Sequence, residues 1–241
     1  QYAANEAAAS SLSSATPESF GFLGDEAGSL NLSGTETAKT NLNFKPGSDV
    51  ALVANQIAIT NAGISNADIA QAGLNLQIIA TGKEDIGIKL NALPEQATSG
   101  NLTLQNAYLL PSGSGSGNLS IRSDEVSAVN SNLISSNYGE AAIPTGQGID
   151  MHVHSLHAEK TFIATEANAT GGAGNVSVNA DTRIQMSGSS ILSRNIKNTQ
   201  GQTGVVTINT GELELDSNAF IATGTNGGDA KSVSVNANSI A

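Results

Sequence analysis

Apolar residues alternate with small polar ones in short runs along most of the chain. One family of runs reads Gly117-Asn118-Leu119-Ser120-Ile121, Ile149-Asp150-Met151-His152-Val153, Gly174-Asn175-Val176-Ser177-Val178, Gly204-Val205-Val206-Thr207-Ile208 and Lys231-Ser232-Val233-Ser234-Val235. A period of two predicts a half-buried β-strand for each. A second family alternates with the first, at 132–136, 161–165, 190–194 and 219–223. Gly-, Asn-, Ser- and Thr-rich turns separate them, so the expected coil is strand, turn, strand, loop. The central residues of the second family, Ile134, Ile163, Leu192 and Ile221, follow one another at intervals of 29 residues. A fixed period through four copies predicts a repeat protein in which each repeat is one coil.

The pattern extends upstream with less regularity. Strands are expected at 29–34, at 41–44 (stopped by Pro46-Gly47), at 50–53 and 56–60, around Gly63-Ile64, at 74–80, and at 86–90 before Pro94. Residues 100–104 are expected as a first-family strand and 108–110 as its second-family partner. The chain thus divides into an extended lead-in segment at 1–19, less regular coils at 20–99, and regular coils with a 29-residue period at 100–241. The final residues supply a first-family strand without its partner, so the chain is expected to stop in mid-coil.

A single coil cannot bury its apolar face, but stacked coils can. Their strands pair in parallel at about 4.8 Å, placing like residues over like. The expected fold is all-β, a right-handed parallel β-helix (solenoid), the hand following from the usual handedness of β crossovers. Roughly eight coils would give a rod on the order of 40 Å long. A β-propeller, the rival repeat of short strands, uses about 40 or more residues per blade. Ile134, Ile163, Leu192 and Ile221 should form one inner column. Their neighbours Leu133, Phe162, Ile191 and Phe220 are apolar too, which predicts a bulge that turns both members of each pair inward. The alternative is an apolar outer stripe suited to lateral assembly or adhesion.

Composition sharpens this picture. Ten Lys and Arg against 21 Asp and Glu give a net charge of −11. The basic residues are scattered, which speaks against a nucleic-acid surface. Cysteine and Trp are absent, so neither disulfides nor Cys metal sites hold the chain. No apolar run of about 18 residues predicts a membrane span. No charged-then-apolar signal segment follows Gln1, so the sequence is expected to be part of a longer chain.

Two stretches resemble a known family. Ser13-Ser14-Ala15-Thr16-Pro17-Glu18-Ser19-Phe20-Gly21-Phe22-Leu23-Gly24 and Leu52-Val53-Ala54-Asn55-Gln56-Ile57-Ala58-Ile59 are similar to the later part of the secretion domain of filamentous-haemagglutinin-like, two-partner-secreted exoproteins of Gram-negative bacteria. The Gly-Asn-Val-Ser-Val and Phe-Ile-Ala-Thr coils resemble the repeats that follow that domain. The resemblance implies a secreted or cell-surface β-helix, export through an outer-membrane barrel transporter, and a role in adhesion or aggregation. The family's early Asn-Pro-Asn-type motifs are missing, which would put transporter recognition upstream of Gln1.

Candidate chemistry is sparse. Asp150, His152 and His154 alternate with Ile149, Met151 and Val153, so all three should face outward, with His157 nearby. Two His at i and i+2 with an Asp could share a metal, but an exposed polar row explains them as well. A carbohydrate-active β-helix would need clustered carboxylates. Asp124-Glu125 is the only adjacent acidic pair of the repeats, and Asp181, Asp216 and Asp229 are dispersed. Sequons at Asn31, Asn101, Asn118, Asn168 and Asn175 fit turn chemistry better than glycans. No catalytic, cofactor-binding or metal-ligating residue is assigned and no cofactor is expected. The favoured function is non-enzymatic attachment to a host or neighbouring cell surface, with glycans and self-association as further partners. The alternatives are an extracellular fibre subunit and a carbohydrate-active enzyme.

Overall fold

The computed structural model of the chain describes residues 19–21, 28–83, 87–89, 93–140, 147–197 and 200–241. Every regular element among them is a strand. In chain order these are β1 (Ser19–Gly21), β2 (Leu30–Ser33), β3 (Thr40–Phe44), β4 (Asp49–Ala54), β5 (Ile57–Thr60), β6 (Ala62–Asn66), β7 (Asn75–Ala80), β8 (Gly87–Lys89), β9 (Leu102–Gln105) and β10 (Tyr108–Leu110). There follow β11 (Asn118–Val129), β12 (Asn132–Asn137), β13 (Gly148–Glu159), β14 (Phe162–Ala167), β15 (Asn175–Ser187), β16 (Ser190–Asn195), β17 (Val206–Asp216), β18 (Phe220–Thr225) and β19 (Val233–Ile240). The lead-in at 1–19 lies almost wholly outside the described residues, as does most of the Ser13–Gly24 motif.

The strands stack in parallel as a β-solenoid with three walls. The first wall is β4, β7 and the leading halves of β11, β13, β15, β17 and β19. The second is β2, β5, β9 and the trailing halves of the same long strands. The third is the seven-stranded sheet β3-β6-β10-β12-β14-β16-β18, so the rod has seven turns there. The two-strand coil expected from the pattern is therefore corrected to three walls. Each long first-family run bends at a corner and serves two of them, with register shifts after Val153 and Ala180. Residues 102–105 accordingly lie over Val126–Val129, on the second wall, and not over the Gly-Asn-Leu-Ser-Ile strand.

Each wall contributes an inward column. On the first it runs Val50, Leu76, Leu119, Ile149, Val176, Val206, Val233. On the second it includes Leu30, Ile57, Leu102, Val126, Leu156, Ile184, Leu213 and Ile240. The third-wall column corrects the sequence reading. It is Leu42, Ile64, Leu109, Leu133, Ile163, Ile191 and Ile221. Ile134 and Leu192 face the other way, in register with Ala164 and Ala222. The spacing of the last four inner residues is 30, 28 and 30, not a constant 29. The third-wall pairings are continuous, without the expected bulge, so ordinary alternation points one member of each apolar pair away from the column. Leu192 is nonetheless only 5% exposed, so both members of the Ile191-Leu192 pair are shielded from solvent. Phe162 is half-buried and Phe220 is 50% exposed, against 1% for Ile163.

What sets this register is the corner before the third wall. Asn61, Asn106, Asn130, Lys160 and Gly188 all adopt positive φ between 47° and 56°. Each is followed by a small residue: Ala62, Ala107, Ser131, Thr161 or Ser189. The hydroxyls bind turn to turn. Ser131 Oγ accepts from the Ala107 amide, Thr161 Oγ1 from the Ser131 amide, and Ser189 Oγ from the Thr161 amide, at 3.1, 3.3 and 2.9 Å. The corner after the third wall uses a second buried row, Ser135, Thr165 and Ser193, whose hydroxyls donate to the carbonyls of Gly117 or Gly174. Glycine is required there because the turns nearly touch. A Cβ on Gly204 would lie 1.9 Å from the Gly174 oxygen.

One excursion interrupts the rod. Between β7 and β9 the chain leaves the wall, and β8 pairs antiparallel with β1. The expected strand at 86–90 is therefore not part of a coil.

Candidate functional site

Asp150, His152 and His154 do point outward, with Ile149, Met151 and Val153 buried beneath them. They do not converge on one centre. Asp150 is tied to Arg122, whose Nη2 donates to its Oδ2 at 2.6 Å. Arg122 is almost wholly buried and also donates through Nε to the Pro94 carbonyl at 2.6 Å. This pair thus clamps the excursion onto the wall. His152 Nε2 lies 3.3 Å from Asp150 Oδ1 and 3.3 Å from Asn179 Nδ2. Asn209 Nδ2 donates to Asn179 Oδ1 at 2.7 Å, so His152 heads a polar ladder along the first wall. His154 sits at the bend and approaches Asp181 at 3.8 Å, while His157 Nδ1 contacts Gln185 on the second wall at 3.1 Å. Among the described residues no three His, Cys, Asp or Glu side chains gather as metal ligands.

The acidic residues are occupied in a similar way. Arg183 pairs with Glu214 and lies 3.6 Å from Glu212. Glu166 accepts from Arg194 Nε at 2.9 Å and from the Ser136 hydroxyl at 2.9 Å. The Arg194 guanidinium also lies over the Phe162 ring, 4.8 Å from its centre, so this aromatic is engaged at the surface and not in the core. Asp124 and Glu125, Asp216 and Asp229 form no common site. Of the sequons, Asn31, Asn101 and Asn175 are exposed, whereas the Asn168 side-chain nitrogen is buried without a partner.

A concave feature of the described surface lies elsewhere, where the loops from the third wall return to the first. Four successive loops enclose a groove of about 580 Å³. Gln147 comes from the loop after β12, Thr170 from that after β14, Gln200 and Gln202 from that after β16, and Lys231 from that after β18. Asn137 and Asn195 brace these loops from the ends of β12 and β16. Asn137 Nδ2 donates to the Gly172 carbonyl at 3.0 Å, and Asn195 Nδ2 to those of Gly201 and Gly227 at 2.7 and 2.8 Å. Sequence reasoning missed the groove because its residues come from loops about one coil apart and share no motif. The one available signal was the recurrence of Asn at the ends of three third-wall strands, Asn66, Asn137 and Asn195.

The fold places the chain among parallel β-solenoids. No family model, curated protein or solved structure matches it.

Proposed function

We propose that the chain is a non-enzymatic attachment module of a secreted or cell-surface exoprotein, of the filamentous-haemagglutinin-like kind exported through an outer-membrane barrel. The observation that carries this reading is the division of labour in the rod. Its interior is three uninterrupted apolar columns, while several of its charged side chains are tied to one another, as in Arg122–Asp150 and Arg194–Glu166. What remains for function is an extended surface held rigid by a repeated core, as solenoids offer for binding. Beads coated with the purified chain test the reading. They should adhere to bacterial or animal cells and be displaced by free chain; beads that bind no better than albumin-coated ones would contradict it.

A fibre subunit is the second reading. Parallel strands repeated along a single axis give the rod a geometry that further copies would extend end to end. Negative-stain images over a wide concentration range should then contain filaments, and short dispersed rods alone would rule the fibre out.

A further inference from the structure

We infer that the four-loop groove is a binding site for an uncharged oligosaccharide. The inference deepens the attachment reading by naming a ligand class, and it rests on that reading for its biological use. Lining chemistry selects the class. Amides and hydroxyls dominate, from Gln147, Thr170, Asn175, Gln200 and Gln202, with Thr203 buried beneath them and its hydroxyl accepting from the Lys231 amide at 2.7 Å. Such groups both donate and accept, which suits a ligand covered in hydroxyls. The only charged side chains of the described lining are Glu140 and Lys231, one of each sign. A phosphate or sulfate would call for convergent cations, and a metal for several carboxylates. An apolar ligand would need large hydrophobic walls, yet Ala173 and Val205 are the only apolar side chains there.

The groove is also incompletely satisfied as it stands. The Gln147 side-chain oxygen is buried in the described structure without a hydrogen-bond donor. Buried polar atoms normally have partners, and a turn of this side chain would offer the amide to a ligand hydroxyl. Gln200 and Gln202, by contrast, are exposed. The Gln202 backbone is already fixed, its carbonyl accepting from the Ala173 amide at 2.8 Å. The ligating side chains thus sit on a scaffold that does not depend on them. Successive loops repeat at the coil spacing of about 4.8 Å, so the site runs along the rod and favours a chain of sugars over a single one.

The test applies the intact chain to a printed array of neutral and acidic oligosaccharides, followed by calorimetry with a retained sugar. The expected result is retention of neutral oligosaccharides. A Gln200→Ala/Gln202→Ala variant should bind about tenfold more weakly with an unchanged melting temperature, and Lys231→Ala should leave binding intact. Retention of no neutral glycan, or binding insensitive to the double substitution, would overturn the inference. So would retention confined to acidic glycans and lost with Lys231→Ala. Beads that still adhere to cells while the array stays empty would sink the groove and leave the attachment reading standing. Array binding without cell adhesion would do the reverse.

Discussion

The early turns of the rod and the later ones bury the same kind of column but surround it differently. Up to β10 each wall is a separate short strand, the corners at Ala62 and Ala107 are apolar, and the third-wall column advances by 22, 45 and 24 residues per step. From β11 onward the first two walls fuse into long bent strands, hydroxyls occupy the corners at Ser131, Thr161 and Ser189 before Ala219 ends the row, and the third-wall step settles to 30, 28 and 30. The longest early step contains the excursion with β8. The inward column is thus the common requirement of both regions. Loop length is free to vary because lengthening a loop costs little, about 0.6 kcal/mol per doubling. Regularity in the later turns is a property of their corners.

If the column is one continuous core, Ile64→Asp in the early region should damage the protein as much as Ile163→Asp in the later one. Each buries an uncompensated charge, and a loss above about 4 kcal/mol, or of cooperative folding, is expected in thermal melts. Phe162→Asp, one residue away but outward, should cost about 1 kcal/mol or less. An early region that melts separately, leaving the later turns untouched by Ile64→Asp, would break the comparison.

Loop bracing should rank next. Asn137 also accepts from the amides of Gly115 and Gly139, both at 2.8 Å. Asn137→Ala leaves buried backbone groups unpaired and should cost about 2 to 3 kcal/mol in denaturant titration. Asn66 makes the matching contacts early, to the Ala72 and Ser112 carbonyls at 3.0 and 2.9 Å, so Asn66→Ala should cost a similar amount. Thr161→Val removes a corner hydroxyl that the early turns do without. About 1 to 2 kcal/mol is expected, since the Ser131 amide loses its acceptor. The smallest effects belong to the corner backbone. Lys160 has φ of 47°, so Lys160→Gly should stabilise by a few tenths to about 1 kcal/mol, and Gly188→Ala, at φ 56°, should destabilise by about 1.

Much of the fold was legible. Alternation located the strands of the later turns and most of those upstream, and repetition implied a solenoid. The register was not, because the apolar doublets conceal phase. In Leu133-Ile134 and Ile191-Leu192 the first member is inside, whereas in Phe162-Ile163 and Phe220-Ile221 it is the second. Taking the second throughout yields a uniform 29. The corner holds the correcting signal, since Asn130-Ser131, Lys160-Thr161, Gly188-Ser189 and Asn218-Ala219 recur with the true spacing, two residues before each inner side chain. The second wall stayed hidden because a bent strand reads as one long alternation. As for the candidate residues, outward alternation of Asp150, His152 and His154 was readable. That Asp150 pairs with Arg122, and that four distant loops meet in a groove, depends on stacking that no local pattern encodes.

Register itself is open to direct test, because the chain has no cysteine to confuse it. In-register neighbours on adjacent turns lie about 4.8 Å apart, within the span a disulfide bridges. Under mild oxidation an Asn132→Cys/Phe162→Cys pair, 30 residues apart, and a Phe162→Cys/Ser190→Cys pair, 28 apart, should both close, as seen by mass spectrometry of the folded chain. A Leu133→Cys/Phe162→Cys pair, separated by the uniform 29, should stay reduced. Closure of that last pair, with the first two open, would contradict the register on which the inward column rests.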